Sequence, residues 1–208
     1  MLKLAVGCGT LQAMNEETLV VIKPDGVARG LTGRIIDQFL DAGLKLTKLE
    51  LRTATADLIE RHYPNDEGWL SSVGRKTLDD YERLGMDPDE YFGASDPLVI
   101  GRVIKGWLVD YLTQGPVVAM VLSGNEAIGL VRKLAGATVP TVADPATIRG
   151  RFSSDSAAAA NAEKRPIQNL VHASGNAEEA AYEIGLWFGE AGTGRGQARV
   201  GMGRGVKS

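Results

Sequence analysis

The sequence predicts an α+β sandwich, with helices packed on one face of a small, mainly antiparallel sheet. Three observations point there. Strand-like and helix-like patterns alternate in the order β-α-β-α-β-α-β. Val117 to Leu122 is apolar throughout, whereas Leu44 to Leu51 alternates with period two. The chain has 208 residues, 44% hydrophobic and 24% charged, enough for one domain with its own core. The alternation also fits a doubly wound parallel sheet, so the pattern alone leaves the topology open.

The elements follow in order. Thr18 to Lys23 (TLVVIK) is a β-branched run stopped by Pro24-Asp25-Gly26, which reads as a turn. Thr32 is placed to cap a helix whose apolar face is Ile35, Ile36, Phe39 and Leu40, closed by Gly43. Leu44 to Leu51 is a half-exposed strand, and Thr55 to Tyr63 a short helix ended by Pro64. Ile100 to Leu112 is an amphipathic helix, and Gly115-Pro116 leads into the strand Val117 to Leu122. Asn125 to Leu134 is a helix ending at Gly136. Ile167 to Val171 reads as the final strand and Glu178 to Phe188 as the final helix.

Composition narrows the function. With 23 basic and 26 acidic residues the net charge is -3, so no global field draws the chain to nucleic acid or anionic lipid. Residues 191–208 carry six glycines, three arginines and one lysine with no acid; they are expected to form a flexible, disordered tail, leaving a body of -7. Residues 1–16 show no periodicity and are expected to be a loose extension. The run MLKLAVGCGTLQAM is at best a weak signal peptide, and Pro116 to Leu122 is far too short to span a bilayer. The lone Cys8 excludes an internal disulfide framework and a multi-cysteine zinc site. The expectation is a cytoplasmic protein with no membrane partner and no specific nucleic acid.

Histidine chemistry has two places to live. His172 lies in NLVHASG, where an apolar strand gives way to small residues; His62 sits beside Tyr63 on a short helix. Neither has a second histidine at metal-ligand spacing, so no protein-held metal is expected. Lys23 is fixed between a strand and a tight turn. With Arg132, Arg149, the Thr138 hydroxyl and the Asn169 amide it supplies what a polyphosphate needs around it. Taken singly, each has a bland alternative: a structural histidine for His172, a surface or capping role for His62, solvated charge for the others. No GxxxxGK[ST] is present, and GTGRG near Gly192 neither follows a strand nor opens a helix.

Taken together and in order, TLVVIKPDGVARGLTGRII (18–36), QGPVVAMVLSG (114–124), VRKLAGAT (131–138), TIRG (147–150) and NLVHAS (169–174) followed by EIGLWF (183–188) resemble nucleoside diphosphate kinases. The resemblance implies a ferredoxin-like βαββαβ sandwich over residues 17–190, with inserts at about 65–99 and 153–165. The first of these would be a helical element near the nucleotide-base side. It implies ping-pong transfer of the γ-phosphoryl group of ATP, with Mg²⁺ carried by the nucleotide phosphates, through a phosphohistidine at His172. Lys23, Arg132, Thr138, Arg149 and Asn169 would hold phosphates and ribose, while Tyr63, Ser174 and Glu183 would support the histidine. It also implies a homo-oligomer, tetramer or hexamer. The chain departs from the family pattern at Val139, Arg151 and Ala173-Ser174-Gly175-Asn176. For base stacking Ile104 aligns best by counting, with Trp69, Phe92 and Trp107 as alternatives.

Overall fold

The structure, a computed structural model, describes residues 15–189. Within them four strands form one antiparallel sheet: β1 (Asn15–Ile22), β2 (Lys45–Thr53), β3 (Pro116–Asn125) and β4 (Val171–Ala173), in the spatial order β2-β3-β1-β4. Every pairing is antiparallel, which excludes the doubly wound alternative. With α2 (Thr32–Asp41) after β1 and α7 (Ala127–Ala135) after β3, the core reads βαββαβ.

Helices cover both faces of the sheet, not one. Val20, Ile22, Met120 and Leu122 face Ile35 and Phe39 of α2 and Val131 of α7. The intervening residues Leu19, Val21, Val117 and Ala119 face the other way, against α3 (Ala56–His62), α6 (Pro97–Thr113) and α10 (Ala177–Phe188). Central strands buried on both sides read as unbroken apolar runs, which is why TLVVI and VVAMVL lack alternation. Strand β2 lies at the sheet edge, where its register against β3 shifts between Leu46 and Lys48 and Leu49 and Leu51 stand exposed.

Several boundaries move. Asn15 and Glu16 pair with Asn125 and Gly124, so β1 takes in the end of the expected extension. Residues 1–14 and the 191–208 tail lie outside the described residues. Pro24–Ala28 forms a one-turn helix, α1, because Pro24 presets the helical φ at its first position. Thr32 is the first residue of α2 and makes no capping hydrogen bond. Asn125 ends β3, with the chain turning at Glu126 (φ 48°) before α7.

Residues 64–96 form α4 (Glu67–Leu84) and α5 (Pro88–Phe92), capped by Asp66 and Asp87 and each closed by a left-handed glycine, Gly85 and Gly93. Helix α4 crosses α6 at very close range. A side chain at Gly74 would overlap the Pro97 backbone, and one at Gly101 the Leu70 backbone. Later come a 3₁₀ turn (Pro140–Val142), α8 (Ile148–Phe152) and α9 (Ala157–Ala162), the last capped by Ser156.

Candidate active site

The site grows from the seam between β1 and β4, where Val21 lies opposite His172. Just before β4 the chain reverses at Leu170, whose φ is 69°, and Val171 N–H donates to Asn169 O at 2.8 Å. This is the strained form of γ-turn, with its central residue in left-handed backbone. It is held from the end of β1: Lys23 N–H donates to Leu170 O at 2.8 Å, and Asp25 Oδ2 accepts from Leu170 N–H at 3.2 Å. The turn replaces the expected strand over Ile167 to Val171, and pairing begins only at Val171.

His172 emerges from the turn onto the wall of a cavity of about 790 Å³ that Lys23, Tyr63, Arg132, Thr138, Arg149 and Asn169 also line. Ser174 and Glu183 stand behind the ring, outside that lining. Glu183 Oε2 lies 2.9 Å from His172 Nε2 and accepts from Ser174 Oγ at 2.6 Å. A carboxylate only accepts, so Nε2 carries the ring proton and Nδ1 keeps its lone pair. Burial pushes the Glu183 carboxyl upward, but the His172 ring, His62 and the Ser174 hydroxyl outweigh it and hold its pKa below the usual value.

His62 is the residue that sequence reasoning placed wrongly. It is buried, not a surface or capping group, and its ring meets that of His172 edge-on at 4.4 Å between centroids. Trp187 Nε1–H donates to His62 Nδ1 at 3.2 Å. Glu183 Oε1 lies 3.6 Å from the same nitrogen, but the contact is no ion pair. Burial first, then the neighbouring His172, lowers the His62 pKa to about 3, so the ring is neutral at pH 7. The fold thus joins two histidines that sequence spacing kept apart, and ligand-type atoms of His62, His172 and Glu183 lie within 4.8 Å of one another. Glu183 Oε2 serves His172 and Ser174, and His62 Nδ1 serves Trp187, whereas His62 Nε2 is buried with no hydrogen-bond partner among the described residues. The adjacency of His62 to Tyr63 was the one signal that could have found it. Tyr63 stacks edge-on to His62 at 4.7 Å, and burial raises its pKa, so the phenol stays protonated.

The cations differ in their freedom. Arg149 donates to three main-chain carbonyls: Gly136 (2.7 Å), Val171 (2.8 Å) and Asn169 (3.2 Å). Those use three of its five N–H groups, leaving two for a ligand. Gly136 is needed there: its φ is 85°, and a Cβ would strike Thr147. Asn169 bridges the walls, accepting from Lys23 Nζ at 2.7 Å and donating to Thr138 O at 2.9 Å. Lys23 is buried, and burial, then Arg149, lowers its pKa to about 7. Arg132 and the Thr138 hydroxyl are exposed on the lining and have no partner among the described residues. Of the stacking alternatives, Ile104, Trp69 and Trp107 line the cavity, whereas Phe92 packs between Tyr81 and Trp107 away from it.

The family model for nucleoside diphosphate kinase matches residues 16–69 and 104–192, more than half of the chain. The chain belongs to the nucleoside diphosphate kinase family. A curated nucleoside diphosphate kinase from Pyrobaculum aerophilum is 51% identical over 175 residues, covering 84% of this chain and 96% of that relative. One from Mycobacterium tuberculosis is 38% identical over 176 residues, covering 84% and 98%. The crystal structure of the P. aerophilum NDP kinase superposes with a TM-score of 0.82 at 50% identity, covering 85% of this chain and 97% of that one. A transition-state mimic of the Borrelia burgdorferi nucleoside-diphosphate kinase, with bound vanadate and ADP, superposes at 0.66 and 33% identity, covering 85% and 89%.

A nucleoside diphosphate kinase is a phosphotransferase. It moves the terminal phosphoryl group of a nucleoside triphosphate to a nucleoside diphosphate in two half-reactions through a phosphohistidine. Of the residues that depart from the family pattern after His172, Gly175 and Asn176 take part in capping α10. Asn176 Oδ1 accepts from Glu179 N–H at 2.9 Å, and Glu179 Oε2 accepts from Gly175 N–H at 2.8 Å. No helix among the described residues is long and apolar enough to cross a membrane.

Proposed function

We propose that His172 is the nucleophile, with ATP and its phosphate-bound Mg²⁺ as donor substrate. The observation that carries this reading is the 2.9 Å contact between Nε2 and Glu183, which leaves a lone pair on Nδ1 of a ring lining the cavity. In the first half-reaction Nδ1 attacks the γ-phosphorus; the P–N bond forms as the bond to the β,γ-bridging oxygen breaks, and ADP departs with the electron pair. In the second, a terminal oxygen of the acceptor diphosphate attacks the same phosphorus and the P–N pair returns to the ring. The protein makes little covalent contribution to so loose a transition state; it positions and neutralises. Lys23, Arg132 and the two spare N–H groups of Arg149 face the phosphate oxygens, with the Thr138 hydroxyl beside them. Asn169 holds Lys23 in place and offers its remaining amide hydrogen to the ribose, and Tyr63 closes the side of the ring.

His172→Ala should abolish exchange while nucleotide binding persists. After brief incubation with γ-labelled ATP, the wild-type chain should carry acid-labile, alkali-stable phosphate and the variant none. Substantial turnover by the variant removes His172 from this role. We also place the enzyme in the cytoplasm, where its polyanionic substrates are held because they do not cross membranes unaided. A homo-oligomer, tetramer or hexamer, is supported by the open edge of β2 with its exposed Leu49 and Leu51. Sedimentation reads that state, and a monomer at micromolar concentration refutes it.

A further inference from the structure

The cavity lining takes in many residues besides the phosphate-facing groups. One wall is α4. Trp69, near its start, stacks on Tyr63 at 5.7 Å, and Tyr63 is 6.5 Å from the His172 ring. Val73, Lys76, Thr77 and Asp80 continue the lining at helical spacing. At 1.5 Å per residue, Asp80 stands roughly 16 Å along the axis from Trp69. The same lining takes in Asn169, Ile167 and Pro166 and, eight residues before Asn169 in the chain, Asn161 of α9. That segment is pinned by Arg165, which pairs with Asp155 at 2.6 Å, while Asp155 also accepts from Gln168 N–H at 2.7 Å. Ile104, Trp107 and Leu108 of α6, with Pro166 and Ile167, give the cavity its apolar lining.

Asn161 stands out in this lining. It is only 9% exposed, and among the described residues its side-chain amide has no hydrogen-bond partner. Buried amides are ordinarily paired, and one left open on a cavity wall is satisfied when a ligand fills the cavity. We propose that Asn161 reads the hydrogen-bonding edge of the nucleobase at the outer end of the nucleotide site. An amide presents one acceptor and one donor side by side, and a half-turn exchanges them. Adenine (N1 with N6–H), guanine (O6 with N1–H), cytosine (N3 with N4–H) and uracil (O4 with N3–H) each offer the complementary pair. Asn161 therefore favours any base with such an edge without choosing among the four.

The inference rests on the phosphoryl-transfer reading of His172. Its test compares kcat/KM for ADP with that for the diphosphate of unsubstituted purine riboside, which lacks the N6 donor. The wild-type chain should favour ADP about tenfold, the worth of one hydrogen bond. In Asn161→Leu that ratio should fall to near one, and Asn161→Gln, which keeps the amide, should retain most of it. A wild-type ratio near one overturns the proposal and needs no variant to fold. So does an unchanged ratio in Asn161→Leu. Absence of labelled phosphoenzyme in the wild type is a separate failure, that of His172 as nucleophile.

Discussion

Replacing Glu183 by Gln isolates what the carboxylate behind the ring contributes. The side chain is nearly sealed from solvent and accepts from His172 Nε2 at 2.9 Å and Ser174 Oγ at 2.6 Å. Both contacts fall on Oε2, so glutamine keeps the shape and one oxygen able to accept them, and what it removes is the charge. Hydrogen bonds to charged groups contribute about 1.5–3 kcal/mol each. A neutral hydrogen bond contributes about 0.5–1.5 kcal/mol, so losing the charge from the His172 contact, about 1–1.5 kcal/mol, should slow phosphoenzyme formation about 5- to 12-fold. Glu183 does not line the cavity, so nucleotide Kd should change less than about twofold by the same reasoning. Single-turnover rapid quench with labelled ATP reads the first quantity and equilibrium titration the second. The acid side offers an independent check. Because the Glu183 pKa is lowered on folding, its carboxylate stabilises the fold above the ordinary value of 4.5, and that stability is lost as pH falls. The Gln variant should be less stable at pH 7 and lose less on acidification. A folded Glu183→Gln chain whose single-turnover rate stays within twofold of wild type refutes the argument.

Lys23 should impose an alkaline limb on kcat/KM, since burial and Arg149 lower its pKa from 10.5 to about 7 in the free enzyme. Transfer efficiency should fall up to about tenfold per pH unit above that point. Lys23→Arg, whose guanidinium stays charged, should push the limb beyond the measurable range, and a flat wild-type profile to pH 9 excludes the assignment. The same lowered pKa means the unfolded chain binds the extra proton between pH 7 and 10.5, so Lys23 should make stability rise with pH across that window in a thermal-melt series. Leu51→Glu, at a β2 residue 69% exposed, should raise the subunit dissociation constant about tenfold or more in sedimentation, because association would bury an unpaired charge; an unchanged assembly rules out that edge as a contact.

What the linear order of residues determined here is most of the long local elements and the family. Period-two and unbroken apolar runs located β1, β2 and β3, and glycine and proline punctuation set most helix ends. The motifs around Lys23, Arg132, Arg149 and His172 carried the family. What only the tertiary structure decided concerns neighbours distant in sequence and conformations no propensity encodes. The γ-turn at Leu170 exists because the backbone of Lys23 and the side chain of Asp25, almost 150 residues earlier, hold both of its polar main-chain groups. His62 becomes part of the His172–Glu183 network only because α3, β4 and α10 pack on one seam, and no spacing rule spans the 110 residues between the histidines. Asn161 sits in an alanine-rich stretch between Asp155 and Arg165, which pair across it, and its burial is a matter of how α9 packs. Short-range patterning fixes which way each side chain leans along its own element; which distant group it meets depends on how the elements pack.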